Sequence, residues 1–109
     1  MIAMPPFDWL GYFELAHDLA AQDKEACHRS SLSRAYYYVY NIALARAEGN
    51  GFTSIPGEST HVQLWRLYCK SPEPQCNHLG QIALRLKEKR ERADYKPLYP
   101  RVHEEVLEF

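Results

Sequence analysis

The sequence predicts an all-α fold, and two observations carry the prediction. Apolar and aromatic residues recur at three- and four-residue spacing along most of the chain. The pattern is broken where Gly, Pro, Asn or Ser cluster, around residues 49–58, 71–75 and 97–100, and such clusters stop helices. No run alternates apolar and polar residues as a half-buried strand does, and no internal repeat is present. The chain has 109 residues, 46% of them hydrophobic and 25% charged, which fits one core and therefore a single domain over residues 1–109.

The first helix is predicted from an Asp8 cap to about Ala21, with Trp9, Phe13, Leu15, Ala16 and Leu19 forming its apolar stripe. Asp23 is expected to open a longer second helix that runs to about Glu48. Gly49-Asn50-Gly51 ends it, because glycine and asparagine readily take the left-handed conformation that terminates helices. Residues 31–45 of this helix are apolar or aromatic over most of its circumference, which places it in the middle of a bundle.

Ser59 or Thr60 can cap a third helix through Leu67 to Cys69. Ser71-Pro72-Glu73-Pro74-Gln75 then breaks the chain, and a fourth helix is expected from about Asn77 to Asp94, before Pro97 and Pro100 forbid its continuation. Val102, Val106 and Leu107 mark a short last helix over about Arg101 to Leu107.

Composition bounds the function. A formal net charge of −1 argues against a domain that coats nucleic acid by bulk charge, since such domains are strongly basic. Three cysteines, Cys27, Cys69 and Cys76, leave one unpaired in any disulfide scheme and fit a reducing compartment, with the cytoplasm expected. The first eight residues lack the basic start and long apolar run of a secretory signal, and no apolar stretch approaches the roughly 20 residues that span a bilayer. At this length only about 60 to 70% of the unfolded surface is hidden on folding, so burying one face against a second copy is expected, and the chain is read as a homodimer. No glycine-rich phosphate loop, G-x-S-x-G elbow or H-E-x-x-H helix occurs, which removes the common nucleotide hydrolase, esterase and metalloprotease readings. Cys69, Cys76 and His78 lack both regular spacing and a fourth ligand, so neither a metal nor any other cofactor is expected.

The fourth helix is the most informative. Its apolar stripe is Leu79, Ile82, Ala83 and Leu86, and the same face continues onto Arg90 and Ala93. Arg85, Lys87, Lys89 and Arg92 read as a solvated surface, whereas Arg90 falls on the buried one. A guanidinium near an apolar interface requires a partner, and Asp94, four residues on, shares its flank. Arginine before aspartate is the weaker order, and an acid at a helix C-terminus meets the negative end of the dipole, so a tertiary contact is expected to compensate, from Lys87, Arg34 or a partner chain. The pair is read either as a structural bridge or as part of a phosphate or nucleotide site.

Ser33-Arg34-Ala35-Tyr36-Tyr37 in the second helix, Thr60-His61 opening the third, and Arg90-Glu91-Arg92-Ala93-Asp94-Tyr95 ending the fourth together resemble the HEPN superfamily. The likeness covers roughly residues 8 to 100 and lies with the branch that carries S-R-A-Y-Y and R-x-x-A-D-Y. It implies a four- to five-helix up-and-down bundle, usually dimeric. It further implies either a metal-independent ribonuclease of toxin–antitoxin and other defence systems, or a noncatalytic module that partners a nucleotidyltransferase-like protein. The nucleases carry R-x(4-6)-H, in which arginine stabilises charge on the phosphorane and histidine moves the 2′-hydroxyl proton. Here the position after four intervening residues is Tyr95, and a phenol is a poor general base at neutral pH. If the chain is an RNase, Arg90 is its charge stabiliser and Tyr95 or His61 takes the place of the missing histidine.

In the leading reading, the chain binds nucleotide, RNA or a nucleotidyltransferase-like partner through Arg34, Asn41, Lys87, Arg90 and Asp94. Arg34 and Asn41 share one polar strip of the second helix, read either as meeting the Arg90 end of the fourth or as structural hydrogen bonding. Tyr36, Tyr37, Tyr38 and Tyr40 point in most directions around their helix. They read chiefly as core or dimer contacts, with base stacking as the alternative.

Overall fold

The computed structural model describes residues 4–108, so residues 1–3 of the segment read above as lacking a signal lie outside it. Helix α1 (Leu10–Ala20) has Trp9 at its cap position, and Asp8, the cap expected from the sequence, stands one residue earlier, its Oδ1 accepting from the Leu10 backbone N–H at 3.0 Å. Helix α2 (Glu25–Gly49) opens two residues later than expected. Asp23 lies in the turn that closes α1, where Ala21 and Gln22 donate back to His17 and Leu19, and the extended residue before α2 is Lys24, with no side-chain cap. The buried ring of His28 ties the same turn down, its Nε2 donating to the Gln22 carbonyl at 2.5 Å.

The end of α2 follows the glycine rule. Gly51 takes φ +95°, its N–H bonds the Glu48 carbonyl, and the Phe52 N–H reaches the Ala47 carbonyl, the paired bonds of a Schellman motif. Helix α3 (Thr60–Cys69) is capped by Ser59, whose Oγ accepts from Val62 N–H. Helix α4 (Pro74–Tyr95) starts three residues before the expected Asn77, because Pro74 occupies the first helical position, where its missing N–H has no partner to lose. A short α5 (Val102–Glu105) continues into one 3₁₀ turn, Val106–Glu108. Among the described residues there is no strand, and no helix is long and apolar enough to cross a membrane.

Side-chain contacts give the helix directions. Ser31 Oγ donates to the Ala16 carbonyl and Phe13 packs on Tyr38, so α1 and α2 run antiparallel. Arg29 meets the carbonyls of Ala93 and Lys96 while Tyr36 and Tyr37 meet Arg90, so α2 and α4 are antiparallel too. Tyr36 meets His61 and Ala43 meets Tyr68, so α2 and α3 run parallel, which departs from the simple up-and-down order that the resemblance implies. The reason is the connection at 50–59, which carries the chain back along α2 before α3 begins. Gln63 pins it there, accepting from Ile55 N–H and donating to the Ile55 and Glu58 carbonyls.

The core gathers Leu32, Tyr36, Ala43, Leu64, Trp65, Tyr68, Ala83 and Leu86, with Val102 and Val106 closing one end. Helices α3 and α4 approach closely at Gly80, where a Cβ would lie 2.8 Å from Cys69 Sγ and 2.9 Å from Cys69 N. Arg29 holds the C-terminus of α4, donating to the carbonyls of Ala93, Lys96 and Pro97, which that helix end leaves without intrahelical donors.

Candidate functional site

The candidate site forms where the middle of α2, the first turn of α3 and the last turns of α4 converge. Arg90 lies on the buried face of α4 as its stripe predicts, only 8% exposed. Its guanidinium carbon stands 5.3 Å from the ring centres of both Tyr36 and Tyr37, and 5.9 Å from that of Tyr95. Such cation–π contacts supply part of the solvation that burial removes. Asp94 is the ion-pair partner, but Nη1 to Oδ2 is 3.6 Å, longer than a hydrogen bond, and Arg90 Nε is buried with no hydrogen-bond partner.

The contact that compensates Asp94 comes from Ser33, whose Oγ donates to Asp94 Oδ2 at 3.2 Å. Arg34 joins indirectly, donating to Ser33 Oγ at 3.4 Å and lying 4.7 Å over the Tyr12 ring and 5.8 Å over that of Tyr37. Lys87 is committed elsewhere, to Glu91 at 2.6 Å, and this hydrogen bond holds the Glu91 carboxyl below the usual range. Asn41 is engaged with its own helix, its amide donating to the Tyr37 carbonyl at 2.7 Å rather than meeting Arg90. Tyr95 projects outward, 72% exposed, with only the edge of its environment formed by Arg90.

His61 is the residue that the fold brings in. Its Nδ1 lies 2.6 Å from the Tyr36 hydroxyl, and its ring stacks on Tyr40 at a centroid distance of 3.8 Å and 10° between planes. It also packs 5.6 Å from the Tyr36 ring and 6.1 Å from the Tyr37 ring, the two that Arg90 covers. Burial lowers the His61 pKa below its usual value, and the charges of Arg90 and then Lys87 lower it further, while Glu91 opposes them. Burial and the two cations thus favour the neutral imidazole. Tyr36, with no exposed surface, is pushed up to about 12 by burial, against the hydrogen bond from Trp65 and the charge of Arg90.

Trp65, Ser33 and Glu91 were not singled out by the sequence as site residues, and Tyr40 only as an alternative base-stacking ring. A signal for two of them exists. His61 and Trp65 are four apart on α3, as Tyr36 and Tyr40 are on α2, and such spacing sets each pair on one helix face. The cysteines are all free, and among the described residues no three histidine, cysteine or acidic side chains group to hold a metal ion. Comparison with protein-family models, curated proteins and solved structures finds no match for this chain.

Proposed function

We propose that the chain is an HEPN-type helical module of the cytoplasm that binds the phosphate of a nucleotide or RNA at Arg90. Arg34 extends the positive surface, Lys87 stands nearby in its pair with Glu91, Asp94 orients the guanidinium, and Asn41 lies farther along α2. The observation that carries this reading is the unpartnered Nε of a buried arginine whose one acid stands 3.6 Å away. A buried charge-bearing donor left unmatched is costly, and an anionic oxygen is the acceptor that satisfies it best. The N-terminus of α3, beside it, adds partial positive charge. The HEPN resemblance extends the proposal to a nucleotidyltransferase-like partner and a toxin–antitoxin or defence setting.

Homodimerisation belongs to the same proposal. An apolar groove between α1, α2 and α4, lined by Phe13, Ala16, Leu32, Val39, Ile82 and Leu86, offers a second copy a surface to bury.

A second reading, a metal-independent RNase, is favoured by one observation, the approach of His61 to the rings that hold Arg90. The test treats both readings alike: EDTA-treated protein and its Arg90→Ala variant are incubated with labelled structured and unstructured RNAs and with nucleotides, and cleavage and binding are recorded. Binding without cleavage, lost in the variant, supports the module. Cleavage to 2′,3′-cyclic phosphate ends, lost in a folded variant, replaces it with the enzyme, and neither binding nor cleavage removes both.

A further inference from the structure

The Tyr36 hydroxyl has two hydrogen-bond partners among the described residues, and their chemistry decides where the protons lie. Trp65 Nε1 stands 3.0 Å away, and an indole N–H can only donate, so it occupies a lone pair of the Tyr36 oxygen. The hydroxyl's own hydrogen then needs an acceptor, because Tyr36 has no exposed surface and water cannot supply one. The one remaining partner is His61 Nδ1, at 2.6 Å. Tyr36 thus donates and Nδ1 accepts, which puts the imidazole proton on Nε2. Protonating Nδ1 as well would set two donors against each other, so the relay opposes the charged ring, in the same direction as burial and the nearby Arg90 and Lys87.

Nε2 makes no hydrogen bond among the described residues and is not among the buried unpartnered atoms, so its N–H faces solvent. We propose that Trp65 and Tyr36 lock His61 as the Nε2–H tautomer, so that it meets a ligand's phosphate oxygen as an uncharged donor beside Arg90. This rests on the phosphate reading above and deepens it. Arg90 and His61 then present only donors, which matches the acceptor-only oxygens of an ionised phosphodiester or phosphomonoester. The same tautomer leaves no lone pair on Nε2, and so His61 is unsuited to take a proton from a 2′-hydroxyl. Tyr36 and Trp65 are positioning residues in this scheme, since they act through His61.

The experiment is long-range ¹H–¹⁵N correlation on the full chain labelled at histidine nitrogen, free and titrated with inorganic phosphate. The expected spectrum assigns to His61 an unprotonated, pyridine-like Nδ1 and a protonated, pyrrole-like Nε2. Phosphate is expected to shift Nε2 and its proton saturably while Nδ1 keeps its character. In Tyr36→Phe that keeps the wild-type helicity by circular dichroism, the fixed pattern is expected to relax toward averaged signals of two tautomers. Should that variant fail to fold, the wild-type spectrum still decides. A protonated Nδ1 in the wild type overturns the tautomer lock even if phosphate binds. The expected tautomer with no phosphate-induced shift overturns the phosphate reading instead.

Discussion

The guanidinium of Arg90 lies 5.3 Å from the centre of the Tyr36 ring, on the buried face of α4, where a charge stands among aromatic rings with its carboxylate partner at 3.6 Å. The arrangement combines a packing role and a binding role in one side chain, and substitution separates them. Arg90→Ala removes the stem packing and the cation–π contacts and is expected to cost about 1–3 kcal/mol. Arg90→Met restores most of the packing and recovers much of that loss. Both variants are expected to lose nucleotide and phosphate binding. Urea unfolding together with a binding titration checks the split, and wild-type binding by Arg90→Met removes Arg90 from the site.

His61 makes stability depend on pH. Its folded-state pKa lies below the usual 6.5, so the unfolded chain takes up its proton first as pH falls. The stabilisation is complete above about 6.5 and is lost as pH drops from there through the folded-state value. His61→Gln lacks the titrating ring. The stability difference between wild type and this variant is expected to shrink or reverse between pH 7 and pH 5, as measured by urea unfolding at each pH. A difference that stays constant or grows on acidification contradicts the lowered pKa.

Arg29 ties α2 to the end of α4 through three carbonyls, and it also pairs with Glu25 at 2.9 Å. Arg29→Ala is expected to destabilise the fold by about 1–3 kcal/mol, from the charged hydrogen bonds it loses. The same substitution is expected to raise amide exchange in residues 92–96 ahead of the rest of α4. Unchanged exchange there means that the carbonyls find water without loss.

Gly80 allows α3 and α4 their close approach. In an exposed helix, glycine to alanine stabilises by about 1 kcal/mol, but here the new methyl meets the Cys69 backbone nitrogen at 2.9 Å, and backbone cannot swing aside. Gly80→Ala is therefore expected to be destabilising by about 1–2 kcal/mol net in thermal or urea unfolding. A more stable variant shows that the helices separate without penalty.

The apolar groove predicts a dimer that one charge disrupts. Sedimentation of the purified protein is expected to give about twice the 12.7 kDa of one chain. Ile82→Glu, which sets a carboxylate on the groove wall, is expected to return it to a single chain while helicity by circular dichroism is kept. A wild-type monomer removes the dimer from the proposed function.

The features legible along the chain are local ones. The turn of 3.6 residues set Arg90 on the buried stripe of α4, Asp8 and Ser59 marked helix starts, and Gly51 marked the end of α2, because each depends only on neighbours within one or two turns. Even there, Pro74 reads equally as a breaker or as a first helical residue, and the helix it joins decides between them. The tertiary structure alone decided which ends meet. Had the 50–59 connection turned tightly, α3 would run against α2 and His61 would sit near Ala47. The return path makes the two helices parallel and carries His61 to Tyr36 and to the rings on Arg90. Ser33, the partner of Asp94, was likewise chosen by proximity in the folded chain, whereas Glu91, the partner of Lys87, is four residues on along the same helix. A side chain's neighbours across a bundle depend on the direction and depth of each helix, and no spacing along the chain encodes them.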